Sequence, residues 1–155
     1  MSQAANEVLC ERLNLATDGS FLGLVTMNRP EEMNPLGWST VKKMRSIMEE
    51  LAHDKSVRVI AVTGAGKAFS AGGDLKGYLK LQKDEVGFWG FLEDFHGLCN
   101  YMQFEVPKPV IALVNGVSAA GGTEILLACD FAYAAESARI GDAHLNFGQM
   151  GGGAF

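Results

Sequence analysis

The stretch Pro109-Val110-Ile111-Ala112-Leu113-Val114-Asn115-Gly116-Val117-Ser118-Ala119-Ala120-Gly121-Gly122-Thr123-Glu124-Ile125-Leu126-Leu127-Ala128-Cys129-Asp130 decides how the chain is built. It opens with a continuously apolar, β-branched run, which reads as a strand buried on both faces. Asn115-Gly116 breaks that strand. Four small residues, 119 to 122, come next, and then an apolar run that buries itself as a helix. Small residues at a strand-to-helix junction let a ligand approach the backbone closely. The free N–H groups and the positive end of the helix dipole then face that ligand. Glu124 lies about one helical turn after Gly121, so its carboxyl points toward whatever the Gly121 N–H touches. The pattern suits half of a site for an acyl group.

Working outward, residues 57–63 form a second buried strand. It feeds Gly64-Ala65-Gly66-Lys67-Ala68-Phe69-Ser70-Ala71-Gly72-Gly73-Asp74-Leu75, a loop of mostly small residues. Two nucleotide readings fail there. A P-loop needs Gly where Ala61 stands and Ser or Thr where Ala68 stands. The dinucleotide fingerprint needs a third Gly at Phe69. The loop exposes its backbone for some other purpose.

Upstream, residues 8–15 alternate and residues 21–27 are apolar and β-rich, joined by a hairpin connection at Thr17-Asp18-Gly19-Ser20. Asn28-Arg29-Pro30-Glu31-Glu32 is a loop. Asn34-Pro35 predicts a helix start, with Asn as cap and Pro in the first turn. Val41, Met44, Ile47 or Met48, and Leu51 mark the buried face of that helix. Residues 85–104 predict another helix, with Phe88, Leu92, Phe95, Cys99 and Met102 at helical spacing and Trp89, Phe91 and Tyr101 around it. These aromatics either fill the core or line a pocket for an apolar acyl group. Residues 131–134 and 138–140 predict two short strands. The result is alternating α/β in one domain over residues 1–155, without a linker. Periodicity leaves a repeating spiral and a doubly wound sheet both open.

Composition narrows the partners. With 48% hydrophobic and 20% charged residues the chain reads as globular. A net charge of −5 argues against nucleic acid or an anionic membrane surface. Cys10, Cys99 and Cys129 are odd in number and widely spaced, so they predict reduced core thiols and no metal site. The first residues have neither a basic nor an apolar signal region, and no apolar run reaches bilayer length. The expected location is cytoplasmic.

Ala68-Phe69-Ser70-Ala71-Gly72-Gly73-Asp74-Leu75 and residues 111–131 resemble the two diagnostic segments of the crotonase family, the enoyl-CoA hydratase/isomerase superfamily. Asn28-Arg29-Pro30 followed by Asn34-Pro35-Leu36 resembles a third, N-terminal signature. The likeness runs from about residue 8 to about residue 153, in the family's order and spacing. It implies an α/β fold, a spiral of repeated ββα units. It also implies a site for a coenzyme A thioester, in which backbone N–H groups at the positions of Gly73 and Gly121 grip the thioester oxygen. Such donors stabilise the developing negative charge by about 3 kcal/mol each.

By the same resemblance Ala71, Gly72, Gly73, Asp74, Leu75 and Lys76 border the substrate, with Ala71 beside the adenine end and the aromatics of 88–95 near the acyl chain. No tightly bound cofactor is implied, since coenzyme A is part of the substrate. Glu124 matches the first of the two glutamates that shuttle protons. The second falls at His144, in Ile140-Gly141-Asp142-Ala143-His144-Leu145, where His replaces the usual Glu. His can serve as acid or base near neutral pH, and Asp142 can orient or compete with it. His53 and His96 lie on helices without sequence partners and read as structural. A further departure is Glu31-Glu32, where the family often carries a basic residue for a coenzyme A phosphate.

Three functions fit these residues. The first is hydration of a 2-enoyl-CoA. The second is isomerisation, decarboxylation or C–C hydrolysis through His144 on the same scaffold. The third is acyl-CoA binding without catalysis. The ending Gly148-Gln149-Met150-Gly151-Gly152-Gly153-Ala154-Phe155 stops inside what resembles the family's glycine-rich turn. The family's C-terminal helical segment is therefore expected to be absent from this chain, leaving apolar surface bare. A homo-oligomer, a trimer or dimer of trimers at full length, is the assembly the resemblance implies.

Overall fold

Each strand of this chain is short, so the connections between strands determine how a core is enclosed. The computed structural model describes residues 7–15, 19–81, 83–148 and 151. Strands β1 (Val8–Asn14) and β2 (Phe21–Met27) pair antiparallel with Asn14 opposite Phe21, as a hairpin requires. Part of the predicted hairpin connection, Thr17 and Asp18, lies outside the described residues. Helix α1 (Trp38–His53) leads into β3 (Val57–Gly64), β4 (Ala68–Ser70), α2 (Leu75–Leu81) and α3 (Glu85–Asn100). A π-helical turn, Tyr101–Glu105, extends α3 through the rest of the predicted helical stretch. Then come β5 (Val110–Val114), β6 (Val117–Ala119), α4 (Gly121–Leu127), β7 (Phe131–Ala134), β8 (Arg139–Gly141) and a 3-10 turn at His144–Phe147.

The longer strands form one sheet in the order β1-β2-β3-β5-β7, parallel from β2 onward. The short strands form a second parallel sheet, β4-β6-β8. The first unit lays both of its strands, β1 and β2, in the large sheet, and from β3 onward each circuit lays one strand in the large sheet and one in the small sheet before its helical segment. That is a spiral of ββα units, and it settles the choice left open by periodicity.

The core lies between the large sheet and the helices. Ile60, Ala61 and Val62 bury both faces of β3 at its middle, whereas β5 alternates: Val110, Ala112 and Val114 are buried and Ile111 and Leu113 only partly, so the expected burial on both faces is complete on one face of β5 alone. Val41, Met44, Ile47, Met48 and Leu51 form the buried face of α1. From α3, Phe91, Phe95, Leu98 and Cys99 complete the cluster. A fully buried Leu, Phe or Met contributes about 1.5–3 kcal/mol before the entropy of ordering is set against it. The last carbonyls of α1 are closed off from outside the helix. The Lys108 ammonium donates to Leu51 O at 2.6 Å and Asp54 O at 2.5 Å. The strands at the two margins differ from the centre. All of β7 is exposed, with Tyr133 at 67%. Among the described residues no helix is long and apolar enough to cross a membrane.

Two elements inside the small-residue stretches, β4 and β6, carry only three residues each, too few to show a period. The seven residues of α2 have no buried member and therefore no apolar face to read. The predicted helix start at Asn34-Pro35 is corrected. Helix α1 begins at Trp38 with Gly37 as its cap residue, and Asn34 is buried in the left-handed region at φ 55°. Its carboxamide has other partners. Asn34 Oδ1 accepts from the Arg29 N–H at 2.9 Å, while Nδ2 donates to Ala65 O and Ala68 O, both at 2.9 Å.

The neighbouring backbone is knitted to the same loop. Leu36 N–H donates to Gly72 O, Ala71 N–H to Met33 O and Asp74 N–H to Leu36 O. The Ser70 hydroxyl donates to Asn34 O at 2.7 Å. Replacing Asn34 by Ala keeps these backbone bonds but removes the carboxamide that pairs with the Arg29 N–H and Ala65 O, and leaves Ala68 O with Asn115 alone among its side-chain donors. We expect N34A to lower the unfolding free energy by about 2–3 kcal/mol, read as a shifted urea midpoint at unchanged slope.

Candidate active site

Two backbone loops meet at the base of α2 and α4. Gly72 has φ +96°, a conformation that suits glycine, and an added Cβ there would sit 2.8 Å from Ala119 O and from Ala120 Cβ. The same Cβ would lie 3.2 Å from Gly121 N. The segments 72–73 and 119–121 are thus in van der Waals contact, although 48 sequence positions separate the two glycines at 73 and 121. The N–H of Gly73 is left outside the pairing with Leu36, which uses the N–H groups of Leu36 and Asp74. Gly121 is the first residue of α4, where a helix supplies no acceptor for the N–H.

The turn into α4 is strained. Ala120 adopts φ 47°, ψ −126°, a region in which non-glycine residues cost about 1–3 kcal/mol. It is held from both sides. Its N–H donates to Asp142 O at 2.6 Å, and its carbonyl accepts from the N–H groups of Thr123 and Glu124 at 2.8 and 3.1 Å. Those bonds fix where the first turn of α4 points, and so where Glu124 goes.

A cleft of about 890 Å³ opens over these loops. Its apolar lining comes from Leu36, Tyr78, Phe88, Phe91, Leu92 and Phe95, and its polar lining includes Glu124 and His144. The aromatics of α3 therefore divide. Phe88, Phe91 and Phe95 face the cleft, whereas Trp89 is 65% exposed and Tyr101 is buried beneath the Arg45 guanidinium at 3.8 Å. Tyr101 thus belongs to the core and Phe88, Phe91 and Phe95 to the pocket wall, while Trp89 fits neither reading.

Glu124 is 8% exposed, and its Oε2 lies 3.7 Å from where a Gly121 Cβ would stand. The same oxygen is 3.9 Å from His144 Nε2. That spacing is too long for a direct hydrogen bond, yet it lets one water oxygen lie within about 2.8 Å of both atoms. The other ring nitrogen, Nδ1, is hydrogen-bonded to Asp142 Oδ1. Asp142 meets the ring at the nitrogen that does not face Glu124.

Of the residues predicted to border the substrate, Ala71, Gly73, Asp74, Leu75, Lys76 and Gly121 line the cleft, and Gly72 does not. Gly72 instead forms the contact between the two loops. Asp74 also caps α2: its Oδ1 accepts from Gly77 N–H at 3.0 Å, and its Oδ2 accepts from Arg29 Nη1 at 3.0 Å. Burial alone would raise the pKa of this carboxyl, but the Gly77 N–H and the Arg29 guanidinium outweigh it and hold it below the usual range. Glu31 and Glu32 line the cleft as well, with Glu32 ion-paired to Arg29 at 2.8 Å.

Two lining residues have no clear signal in the sequence. Tyr78 packs its ring edge on the Cα of Gly73, where an added Cβ would fall 2.3 Å from Cε2, and it tilts against Phe91 with centroids 4.8 Å apart. Burial raises its phenol well above the ordinary tyrosine value, so the hydroxyl stays neutral and donates to Leu36 O at 3.3 Å. The missing side chain at position 73 is the mark that Tyr78 leaves in the sequence. His96, read as structural, also lines the cleft, while His53 bonds Glu49 O on its own helix. Burial first, and the Glu124 charge second, push the Cys99 thiol up to about 12, which makes it a core residue and not a nucleophile.

The contact through Gly72 has a direct test. G72A forces a left-handed alanine against Ala119 O and Ala120 Cβ. We expect a loss of about 2 kcal/mol, a fall of about 4–8 °C in Tm by calorimetry.

Residues 18–155 match the family described as enoyl-CoA hydratase/isomerase. A short-chain enoyl-CoA hydratase of Clostridium acetobutylicum is 36% identical over 129 residues, 82% of this chain and 48% of that protein. The mitochondrial enoyl-CoA hydratase of Pongo abelii is 32% identical over 131 residues, 84% of this chain and 43% of that protein. Among solved structures, an enoyl-CoA hydratase from Bacillus anthracis superposes with a TM-score of 0.83 at 30% identity, covering 96% of this chain and 55% of its own. The chain spans about half the length of the curated relatives it matches.

Proposed function

The chain belongs to the enoyl-CoA hydratase/isomerase family, and on that premise we propose that its cleft takes an acyl-CoA thioester and adds water across a 2-enoyl double bond. The observation that carries this reading is the approach of Glu124 Oε2 to His144 Nε2, 3.9 Å apart, beside the backbone of Gly121. Two proton-transfer groups flanking one water is what hydration needs.

In this reading the thioester oxygen accepts from the N–H groups of Gly73 and Gly121. Water sits between the carboxyl of Glu124 and the imidazole of His144. His144 Nε2 takes a proton from the water as its oxygen bonds to C3, and the C2–C3 π pair moves through the carbonyl carbon onto the thioester oxygen. The two N–H donors stabilise that charge in a site walled by Phe91 and Phe95, by about 3 kcal/mol each. The enolate then takes the proton of Glu124 at C2, and the proton on His144 returns to Glu124 with the next water. Atoms balance: one water is consumed and a 3-hydroxyacyl-CoA leaves.

Gly73, Asp74, Leu75 and Lys76 border the thioester and pantetheine, Ala71 lies beside the adenine end, and Phe88, Phe91, Leu92 and Phe95 receive the acyl chain. Coenzyme A enters and leaves with the substrate and is not a bound cofactor. The free thiols Cys10, Cys99 and Cys129 suit a reducing compartment, and we assign the reaction to the cytoplasm. The reading keeps the homo-oligomer that the resemblance implies, which sedimentation velocity tests.

The decisive experiment follows loss of the conjugated thioester absorbance with crotonyl-CoA and longer 2-enoyl-CoAs. E124Q is expected to lower kcat by about 100-fold or more. An unchanged rate removes Glu124 from the mechanism, and no turnover with any enoyl-CoA rejects hydration. His144 in place of a second carboxylate favours a second reading, isomerisation, decarboxylation or C–C hydrolysis. Mass spectrometry of the product separates the two, since hydration adds 18 Da, about one water.

A further inference from the structure

The side-chain array at the cleft extends one residue beyond the proposed acid/base pair. His144 is bonded at one ring nitrogen and faces the acid/base partner with the other: Nδ1 is bonded to Asp142 Oδ1, and Nε2 stands 3.9 Å from Glu124 Oε2. A carboxylate only accepts hydrogen bonds, so the proton in the first contact belongs to Nδ1. The neutral ring that satisfies Asp142 therefore presents an unprotonated Nε2 to the cleft. We infer that Asp142 is a positioning residue, which fixes the Nδ1–H tautomer of His144 and thereby makes Nε2 the base that faces Glu124.

The backbone supports the same assignment. Asp142 O accepts the Ala120 N–H at 2.6 Å, and Gly141 O accepts from the Thr123 hydroxyl at 2.9 Å. The loop that carries Asp142 and His144 is thus bolted to the first turn of α4, which carries Glu124. A Cβ at Gly151 would fall 2.5 Å from His144 Nδ1 and 2.6 Å from Asp142 Oδ1, so glycine backbone closes over the pair. The Asp142 side chain is 59% exposed while that of His144 is 14% exposed. Removing the carboxylate therefore alters the ring without opening the core.

Among the described residues the charged groups within ion-pair distance of His144 are Glu124 on α4 and Asp142 on its own loop. Tyr78, His96, Lys76, Asp74, Glu31 and Glu32 are the other titratable groups lining the cleft. None of the six is needed to place the proton on Nδ1.

The test has a spectroscopic arm and a kinetic arm, and only the kinetic arm rests on the hydratase reading. Imidazole ¹⁵N spectra of the protein, with the His144 signal assigned by its absence in H144Q, are expected to show Nδ1 protonated and Nε2 bare in the neutral ring. In D142N the amide can donate to Nδ1, and the ring is expected to flip to the Nε2–H tautomer. With crotonyl-CoA, kcat of D142N should then fall about 10- to 100-fold at unchanged KM and unchanged Tm. D142E, which restores an acceptor, should recover the tautomer and most of the rate.

An Nε2–H ring in the unsubstituted protein overturns the inference, whatever the protein turns over. So does a D142N variant whose tautomer or kcat is unchanged. Absence of enoyl-CoA turnover counts against hydration alone, because the spectra are read without substrate.

Discussion

Four backbone groups, one on the loop after β2, one in the turn before β4 and two on β4 itself, converge on the carboxamide of Asn34, which is itself 1% exposed. Through it the segment after β2 is fixed to the segment before and within β4. The backbone bonds of Met33 and Leu36 continue that seam as far as Asp74. Without it Gly72 and Gly73 would belong to an unsupported loop, because β4 has only three residues and pairs with β6 through a shifted register. A buried side chain with two donor hydrogens and one acceptor oxygen does here what a longer strand does elsewhere. Everything laid on those glycines, including Tyr78 and the contact with residues 119–121, inherits its position from Asn34.

Much of this was legible in the sequence, and the boundary between what was and what was not has a physical basis. The strands at residues 57–63 and 110–114 announce themselves by apolar β-branched runs, although Arg58 is exposed and Ile111 and Leu113 are only partly buried. The face of α1 does so by its period. Glu124 and Gly121 were placed correctly relative to each other because one helical turn relates them. Asn34 misled for a chemical reason. Asn before Pro suits a helix cap, but its side chain is equally suited to the left-handed backbone and to bridging the Arg29 N–H with Ala65 O and Ala68 O, and here it bridges. Helix α2 left no trace in periodicity because none of its residues is buried. Tyr78 and His96 approach the cleft only through tertiary packing, which no local pattern encodes.

The cleft combines groups with quite different structural commitments. Asp74 and Arg29 border it, yet both are engaged in holding α2 and the preceding turn. Glu124 and His144 are the pair whose closest approach is across the opening, and their geometry depends on a backbone conformation at Ala120 that alanine adopts only under constraint. Rigid backbone thus concentrates on one side and proton-carrying side chains on the other. His in place of a second carboxylate changes the charge available there, because imidazole passes between neutral and cationic forms where a carboxyl passes between neutral and anionic ones.

The parallel order of the large sheet has a kinetic price. Val62 of β3 finds its neighbour Ala112 on β5 only after about fifty further residues have been made. At about 5–20 residues per second of synthesis, one edge of a mostly apolar strand waits roughly 3–10 s for its partner. Pairings this distant along the chain are slow to close even in a complete polypeptide. A nascent chain of this design spends its early life with a sticky ribbon uncovered, and in those seconds self-association competes with folding.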